Sequence, residues 1–413
     1  MLTKSKEIVF DPKLLRKDFP ILSRLVNNQP LIYFDNGATA QKPKVVIEAI
    51  ERYYNFQNAN IHRGVHTLSQ EITIAYEDAR VTVQKHLNAE FPHEIIFTKG
   101  TTDAINLVAY SYGKKYIKEG DEILISAMEH HSNILPWQQL CEDKNARLKV
   151  IPINEDGEID IDIYRQLLNS KTKLVAITHV SNTLGTINPI KEIIAIAHQF
   201  EIPVLVDGAQ AVSHLKVDVL DLNADFYCFS AHKLFGPTGI GILYGKEKWL
   251  KNLPPYQTGG GVIHTVSFEK TIFAELPLKF EAGTPHISGG IGLAKAIDYV
   301  NGLGFENIAQ YEDEILTYAT NKLRDIEGLR IIGNAKQKAS VISFVVKGLH
   351  PFDIGMILDK FGVAVRTGHH CTQPLMQFFN VEGTVRVSLA FYNTFEEVDL
   401  FIEALKKAIR MLS

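Results

Sequence analysis

The stretch Pro203–Leu243 reads PVLVDGAQAVSHLKVDVLDLNADFYCFSAHKLFGPTGIGIL. It contains three short apolar runs, Pro203–Val206, Phe226–Phe229 and Gly241–Leu243, the first two ending on polar residues, Asp207 and Ser230. Runs without alternation are expected of strands buried on both faces, as in a parallel sheet covered by helices. Outward from this stretch the pattern repeats at Glu94–Thr98, Glu122–Ser126, Leu148–Ile153 and Lys173–Thr178. Helix-like segments such as Asp103–Ile117, Asn133–Lys144 and Ile190–Gln199 lie between the runs. The alternation predicts an α/β fold with a mostly parallel, seven-stranded sheet.

The character changes near Pro277–Gly290, where Gly and Pro cluster in EAGTPHISGG. A long helical pattern is expected from Ile291 to about Glu327. Strand candidates follow at Arg330–Ile332, Ser340–Val346, Val363–Arg366 and Thr384–Ser388, then a final helix at Phe395–Met411. This reads as a smaller α+β C-terminal domain. The expected division is an N-terminal segment 1–30 packed on the small domain, a large domain 31–285 and a small domain 286–413.

The 413 residues carry 43 basic and 47 acidic side chains, for a net charge of −4. No Lys or Arg run marks a nucleic-acid or membrane stripe, so a small zwitterionic substrate is expected and neither nucleic acid nor membrane is. No stretch approaches the eighteen apolar residues of a membrane span. Met1–Pro20 has no apolar leader core, and its acids Glu7, Asp11 and Asp18 are unlike an organelle transit sequence. The three cysteines, Cys141, Cys228 and Cys371, show no CxxC spacing. A reduced, cytoplasmic protein without disulfides is the expectation.

In open α/β sheets ligands bind beyond the carboxyl ends of the strands, and the unusual polar residues of this chain gather there. Lys233 sits in FSAHKLFGP (Phe229–Pro237). A lone loop lysine is ordinarily a surface residue. The preceding Ser230 and His232 and the Gly236–Pro237 turn favour a Schiff-base lysine, whose pKa is lowered by partial burial so that the free amine attacks a carbonyl. Asp207 commonly would cap the next helix. Paired with Lys233, it instead suits a buried partner for a protonated pyridine nitrogen, as in pyridoxal 5'-phosphate. Gln210 is placed for that ring's phenolic oxygen.

Gly100-Thr101-Thr102-Asp103 opens a helix directly after a strand, so its amides and hydroxyls form a phosphate cradle, joined by Ser230 and His232. It is neither a Walker A loop nor GxGxxG, and a nucleotide is not implied. His130 is expected to stack on the pyridine and relay protons, and Asn182 to bond its phenolate side.

RTGHHCTQP (Arg366–Pro374) places Cys371 in a loop with two histidines and an arginine, a setting that favours the thiolate. Zinc would need about four ligands, and no second Cys/His cluster exists, so no metal is expected. Cys228, in a strand, and Cys141, on a helix, read as packing residues. Arg386 has a fork suited to a substrate carboxylate.

Taken together, SAHKLFGPTGIG, VDGAQ, EHHSNILPW, HVSNTLGT and RTGHHCTQPLM resemble a cysteine desulfurase of the class V aminotransferase family. RTGHHC and HRGVH (His62–His66) are similar to the sulfur-mobilisation (Suf) branch, whose relatives include selenocysteine lyases. The resemblance runs from Tyr33 to Met411. It implies fold type I of the pyridoxal-phosphate transferases, with Lys233 carrying the cofactor. Thr101, Thr102, Asn182, Asp207, Gln210, Ser230 and His232 would hold it, His130 stacked on the ring. Cys371 would be the persulfide-bearing nucleophile, with Arg386, Arg366 and Asn182 on the substrate side.

The resemblance further implies a homodimer in which Thr284 reaches the partner's phosphate, a Suf-type sulfur-acceptor protein, and sulfur supply to iron–sulfur clusters. Two departures stand out: Asp103 where glutamate is frequent and Thr372 where alanine is usual. L-selenocysteine is the alternative substrate. A catalytically silent scaffold would have lost the reacting groups, whereas Lys233, Asp207, His130, Cys371 and Arg386 are all retained.

Overall fold

A computed structural model describes residues 10–413. The part of the N-terminal expectation that concerns residues 1–9 lies outside the described residues.

Seven strands form the main sheet: β1 (Ile95–Thr98), β2 (Glu122–Ser126), β3 (Arg147–Ile151), β4 (Thr172–Thr178), β5 (Val204–Asp207), β6 (Phe226–Ser230) and β7 (Gly241–Gly245). Their spatial order is β1-β7-β6-β5-β4-β2-β3. The pairs β2·β3, β2·β4, β4·β5 and β5·β6 are parallel, whereas β7 is antiparallel to both β6 and β1. Every residue of β2, β5, β6 and β7 is buried, which explains why their sequences run apolar without alternation. β3 is an edge strand and is less completely buried, with Arg147 and Val150 exposed. The mostly parallel seven-stranded sheet expected from the sequence is present.

Strand β5 ends against a tight neighbour. A Cβ on Gly208 would lie 2.1–2.3 Å from the ring and hydroxyl of Tyr227. That ring is fully buried and its hydroxyl is hydrogen-bonded with His179 Nδ1 at 3.0 Å, so it has no room to retreat. Gly208→Ala is therefore expected to destabilise the fold by about 1–3 kcal/mol through overpacking. A denaturant midpoint equal to the parent's would refute this.

A second sheet carries the other half of the site: β8 (Leu329–Ile332), β9 (Val341–Val346), β10 (Arg366–Gly368) and β11 (Thr384–Ser388), in the order β8-β9-β11-β10, all antiparallel. Its apolar face is covered by the helices Phe305–Arg324, Pro351–Lys360 and Phe395–Leu412. The last begins in a capping box: Thr394 Oγ1 accepts from Glu397 N, and Glu397 accepts from Thr394 N.

Two sets of contacts run across the expected division. The expected single helical pattern after Ile291 is two helices, Ile287–Leu303 and Phe305–Arg324, broken at Gly304, whose φ of 81° suits glycine. The first of them, assigned to the small domain by sequence, packs on the large-domain helices Lys44–Arg52 and Thr67–Leu87. Its glycines permit that approach: a Cβ on Gly292 would meet Ile50 and Pro237 at 3.1–3.2 Å. Conversely, Ile32–Tyr33, assigned to the large domain, pairs in parallel with Val363–Ala364 of the small one. Two residues are too short a run to announce a strand.

Of the N-terminal segment, Phe19 is 1% exposed and its ring lies 4.5 Å from that of Tyr392. Arg16 pairs with Glu397 at 2.7 Å. These contacts tie residues 15–22 to the last helix and the loop before it. No helix of the described residues is long and apolar enough to cross a membrane.

Candidate active site

A cavity of about 330 Å³ opens at the carboxyl ends of β1, β2, β4, β5 and β6, and the small domain closes it. From the large sheet it is lined by Thr101, Thr102, His130, Asn182, Asp207, Gln210, Ser230, His232 and Lys233. Arg366, Cys371 and Arg386 line it from the small domain. Of the residues singled out by sequence, Thr284 alone stands apart: it is exposed and lines a different cavity, with His62, Arg63 and His264. Among the described residues no cluster of His, Cys, Asp and Glu could hold a metal ion.

Burial lowers the Lys233 pKa to about 8, against the opposing pull of Asp207. Asp207 is 4% exposed, and burial raises its pKa despite the hydrogen bond its Oδ1 accepts from Ala209 N at 2.9 Å. A carboxyl so enclosed is stabilised as an anion by a cation or a protonated ring nitrogen. Burial and the Lys233 charge bring the His130 pKa to about 4, so the ring is neutral at physiological pH. Its Nδ1 accepts from Ser132 N at 3.1 Å, which leaves the proton on Nε2.

At the start of the helix after β1, Ser230 Oγ accepts from Thr101 N and bonds Thr101 Oγ1, both at 2.8 Å. Thr102 Oγ1 lies 2.7 Å from Ser132 Oγ. Hydroxyls thus gather at a helix N-terminus, an arrangement that receives a phosphate. Several lining residues carry buried polar atoms without a partner: Gln210 Oε1, His370 Nδ1 and Arg386 Nε. Buried polar groups are rarely left so, and this donor and acceptor set fits a planar, phosphate-bearing cofactor together with a carboxylate-bearing substrate.

The Cys371 loop is held open in an unusual shape. His370 and Cys371 have φ values of 52° and 57°, two successive left-handed residues without glycine. The large domain holds that shape: His131 N donates to Cys371 O, and Asn182 Nδ2 to His370 O, both at 2.8 Å. The thiol is exposed at the cavity mouth. Asn182, expected on the cofactor, lines the cavity and also takes part in this clamp. The departure at Thr372 has a role here too, since its hydroxyl meets Thr183 Oγ1 at 2.9 Å. Asp103 accepts from Lys99 N at 3.0 Å, so its shorter side chain closes the turn before its own helix.

Sequence reasoning missed three residues. Asp35 accepts from both Arg366 and Arg386. Ser132 sets the His130 tautomer. Glu129, 1% exposed, accepts from Thr178 N at 3.0 Å and Asn133 Nδ2 at 2.6 Å, tying the ends of β2 and β4 together. Burial raises its pKa to about 7. A signal for Glu129 existed: Glu129, Asn133 and Trp137 are spaced by four, and Trp137 Nε1 does donate to Asn133 Oδ1 at 2.8 Å.

Comparison with known proteins places this geometry. Residues 32–401 match the family Aminotransferase class-V. The chain is 52% identical over 398 residues to a cysteine desulfurase of Synechococcus elongatus, covering 96% of this chain and 64% of that longer protein. It is 49% identical over 406 residues to the cysteine desulfurase of Escherichia coli K12, covering 98% of this chain and all of that one. The crystal structure of the Escherichia coli cysteine desulfurase CsdA, in its S-sulfonic acid form, superposes with a TM-score of 0.92 at 36% identity, covering 98% and 100% of the two chains. The α/β architecture, a large mostly parallel seven-stranded sheet with a smaller C-terminal α+β part, is that of fold type I. The chain belongs to the class-V aminotransferase family and is similar over its length to cysteine desulfurases of that family.

Proposed function

We propose that this chain is a pyridoxal-phosphate-dependent cysteine desulfurase that converts L-cysteine to L-alanine and keeps the sulfur as a persulfide on Cys371. The observation that carries the reading is the meeting, in one cavity, of a buried lysine and aspartate from the large sheet with an exposed cysteine from the small domain.

Lys233 would hold the cofactor covalently, with Asp207 for its ring nitrogen, Gln210 for its phenolic oxygen, and Thr101, Thr102, Ser230 and His232 for its phosphate. Bound there, pyridoxal phosphate supplies an electron sink for the charge that develops at the substrate Cα. Arg386 receives the substrate carboxylate through its unpartnered Nε edge. The freed Lys233 amine, with its lowered pKa, takes the Cα proton. Cys371 Sγ, as thiolate, attacks the substrate sulfur: the S–S bond forms, the C–S bond breaks, and its electron pair stays with the three-carbon skeleton. Protonation of that skeleton completes L-alanine. His130, neutral with its proton on Nε2, presents a hydrogen-bond donor at the sulfur rather than a free base.

The outer sulfur of the persulfide passes to a thiol of a Suf-type sulfur-acceptor protein docking at the exposed Cys371 loop, the S–S bond breaks with Cys371 released as thiolate, and the sulfur goes to iron–sulfur cluster assembly. The active form is a homodimer in which Thr284, exposed beside His62 and His264, meets the partner's phosphate site. The visible spectrum of the purified protein, followed by L-cysteine with a reductant and assays for alanine and sulfide, tests the reading. Cofactor absorbance that changes with cysteine and yields equal alanine and sulfide is expected. Protein that shows no such absorbance even after pyridoxal phosphate is added would overturn it.

A further inference from the structure

Two arginines of the cavity face each other directly. Arg366 of β10 is the register partner of Arg386 of β11, a placement that is unfavourable for like charges on paired strands. Arg386 is buried, 2% exposed, and Arg366 half-exposed. Between them stands the Asp35 carboxylate. Its Oδ1 accepts from Arg366 Nε at 3.0 Å and Arg386 NH2 at 3.2 Å, and its Oδ2 from Arg366 NH2 at 2.8 Å.

The backbone that presents Asp35 is itself fixed to the end of β11. Asp35 bridges Ser388, Asn36 Nδ2 donates to Ser388 O at 2.8 Å, and Gly37 N donates to Ser388 Oγ at 2.8 Å. Arg386 NH1 is taken by Asn182 O at 3.0 Å. Both terminal nitrogens of Arg386 are thus committed, and its buried Nε has no partner. Two guanidinium groups and one carboxylate leave a single net positive charge beside Lys233 and Cys371.

We propose that Asp35 is a positioning and specificity-determining residue: by bridging Arg366 and Arg386 it aligns Arg386 and sets the site's charge to match one carboxylate, selecting monocarboxylate amino acids over dicarboxylate ones. This rests on the desulfurase reading. Without Asp35, Arg386 loses its alignment, and the doubled positive charge attracts a dianion. An effect on stability alone would weaken every ligand in the same direction. The charge argument instead drives monoanionic and dianionic ligands in opposite directions.

The test uses the holoenzyme and its Asp35→Asn variant, with L-alanine and L-aspartate as competing ligands. Expected are a KM for L-cysteine raised about tenfold, a smaller loss in kcat, and an alanine-to-aspartate affinity ratio shifted about tenfold toward aspartate. Asp35→Glu, which keeps the charge and moves it by one methylene, is expected to raise KM yet retain the parent ratio, and it serves should Asp35→Asn fail to fold. A ratio unchanged in Asp35→Asn, or shifted equally in Asp35→Glu, overturns the proposal. Failure of the parent to form alanine from cysteine would instead overturn the functional reading, since the ligand ratio is measured without turnover.

Discussion

Replacing Cys371 by serine is expected to lower sulfur release from L-cysteine by at least about a thousandfold while leaving the cofactor's absorbance in place. A hydroxyl is both a weaker nucleophile toward sulfur and a far weaker acid than a thiol, so the variant has no anion to attack with. The loop itself is expected to survive. Its shape is held by backbone and neighbouring groups, with His131 N on Cys371 O, Asn182 Nδ2 on His370 O and Thr372 Oγ1 on Thr183 Oγ1, none of which involves the thiol. Absorbance, and its response to added L-cysteine, therefore separate loss of the nucleophile from loss of the fold. Full sulfide production by Cys371→Ser would rule out the assignment. Running the same variant on L-selenocysteine adds a second reading, because a selenol leaves more readily and its release can outlast the loss of Cys371.

Lys233→Ala is expected to abolish covalent cofactor attachment and to cut turnover by about ten-thousandfold, since both the anchoring amine and the base for the Cα proton are lost. A pH signature accompanies it. The Lys233 pKa, lowered by burial to about 8, makes the amine a free base above that pH and a cation below it. Uptake of pyridoxal phosphate by stripped protein should therefore accelerate as pH rises from 7 to 9. The alanine variant should show neither the acceleration nor the absorbance of the attached cofactor. Uptake independent of pH, or unchanged absorbance in Lys233→Ala, would exclude Lys233 as the anchor.

Much of the site was legible because strand ends are marked in sequence. Asp207 and Ser230 each directly follow an uninterrupted apolar run, with Lys233 three residues beyond Ser230, and a charge at such a boundary has few structural uses. The Cys371 loop was legible for a similar reason, as histidines and an arginine surround a cysteine outside any apolar run. Asp35 was not. It lies in Tyr33-Phe34-Asp35-Asn36, where an acid after a short apolar pair looks like an ordinary turn, and its two partners are more than 300 residues away. Likewise position alone cannot reveal that Asn182 Nδ2 donates to His370 O.

By itself, the sequence determined the sheet, its parallel character and the strand ends that gather the polar residues of the cavity. Those follow from local patterns: burial on both faces removes alternation, and chemistry needs particular side chains. Only the tertiary structure decided which segments pack across the expected division, how the two arginines share one carboxylate, and which nitrogen of His130 holds the proton. The helix Ile287–Leu303 packs on Lys44–Arg52 and Thr67–Leu87, and His130 takes its tautomer from Ser132 N. Such outcomes depend on contacts between distant segments, whose geometry is set when the apolar faces close on one another.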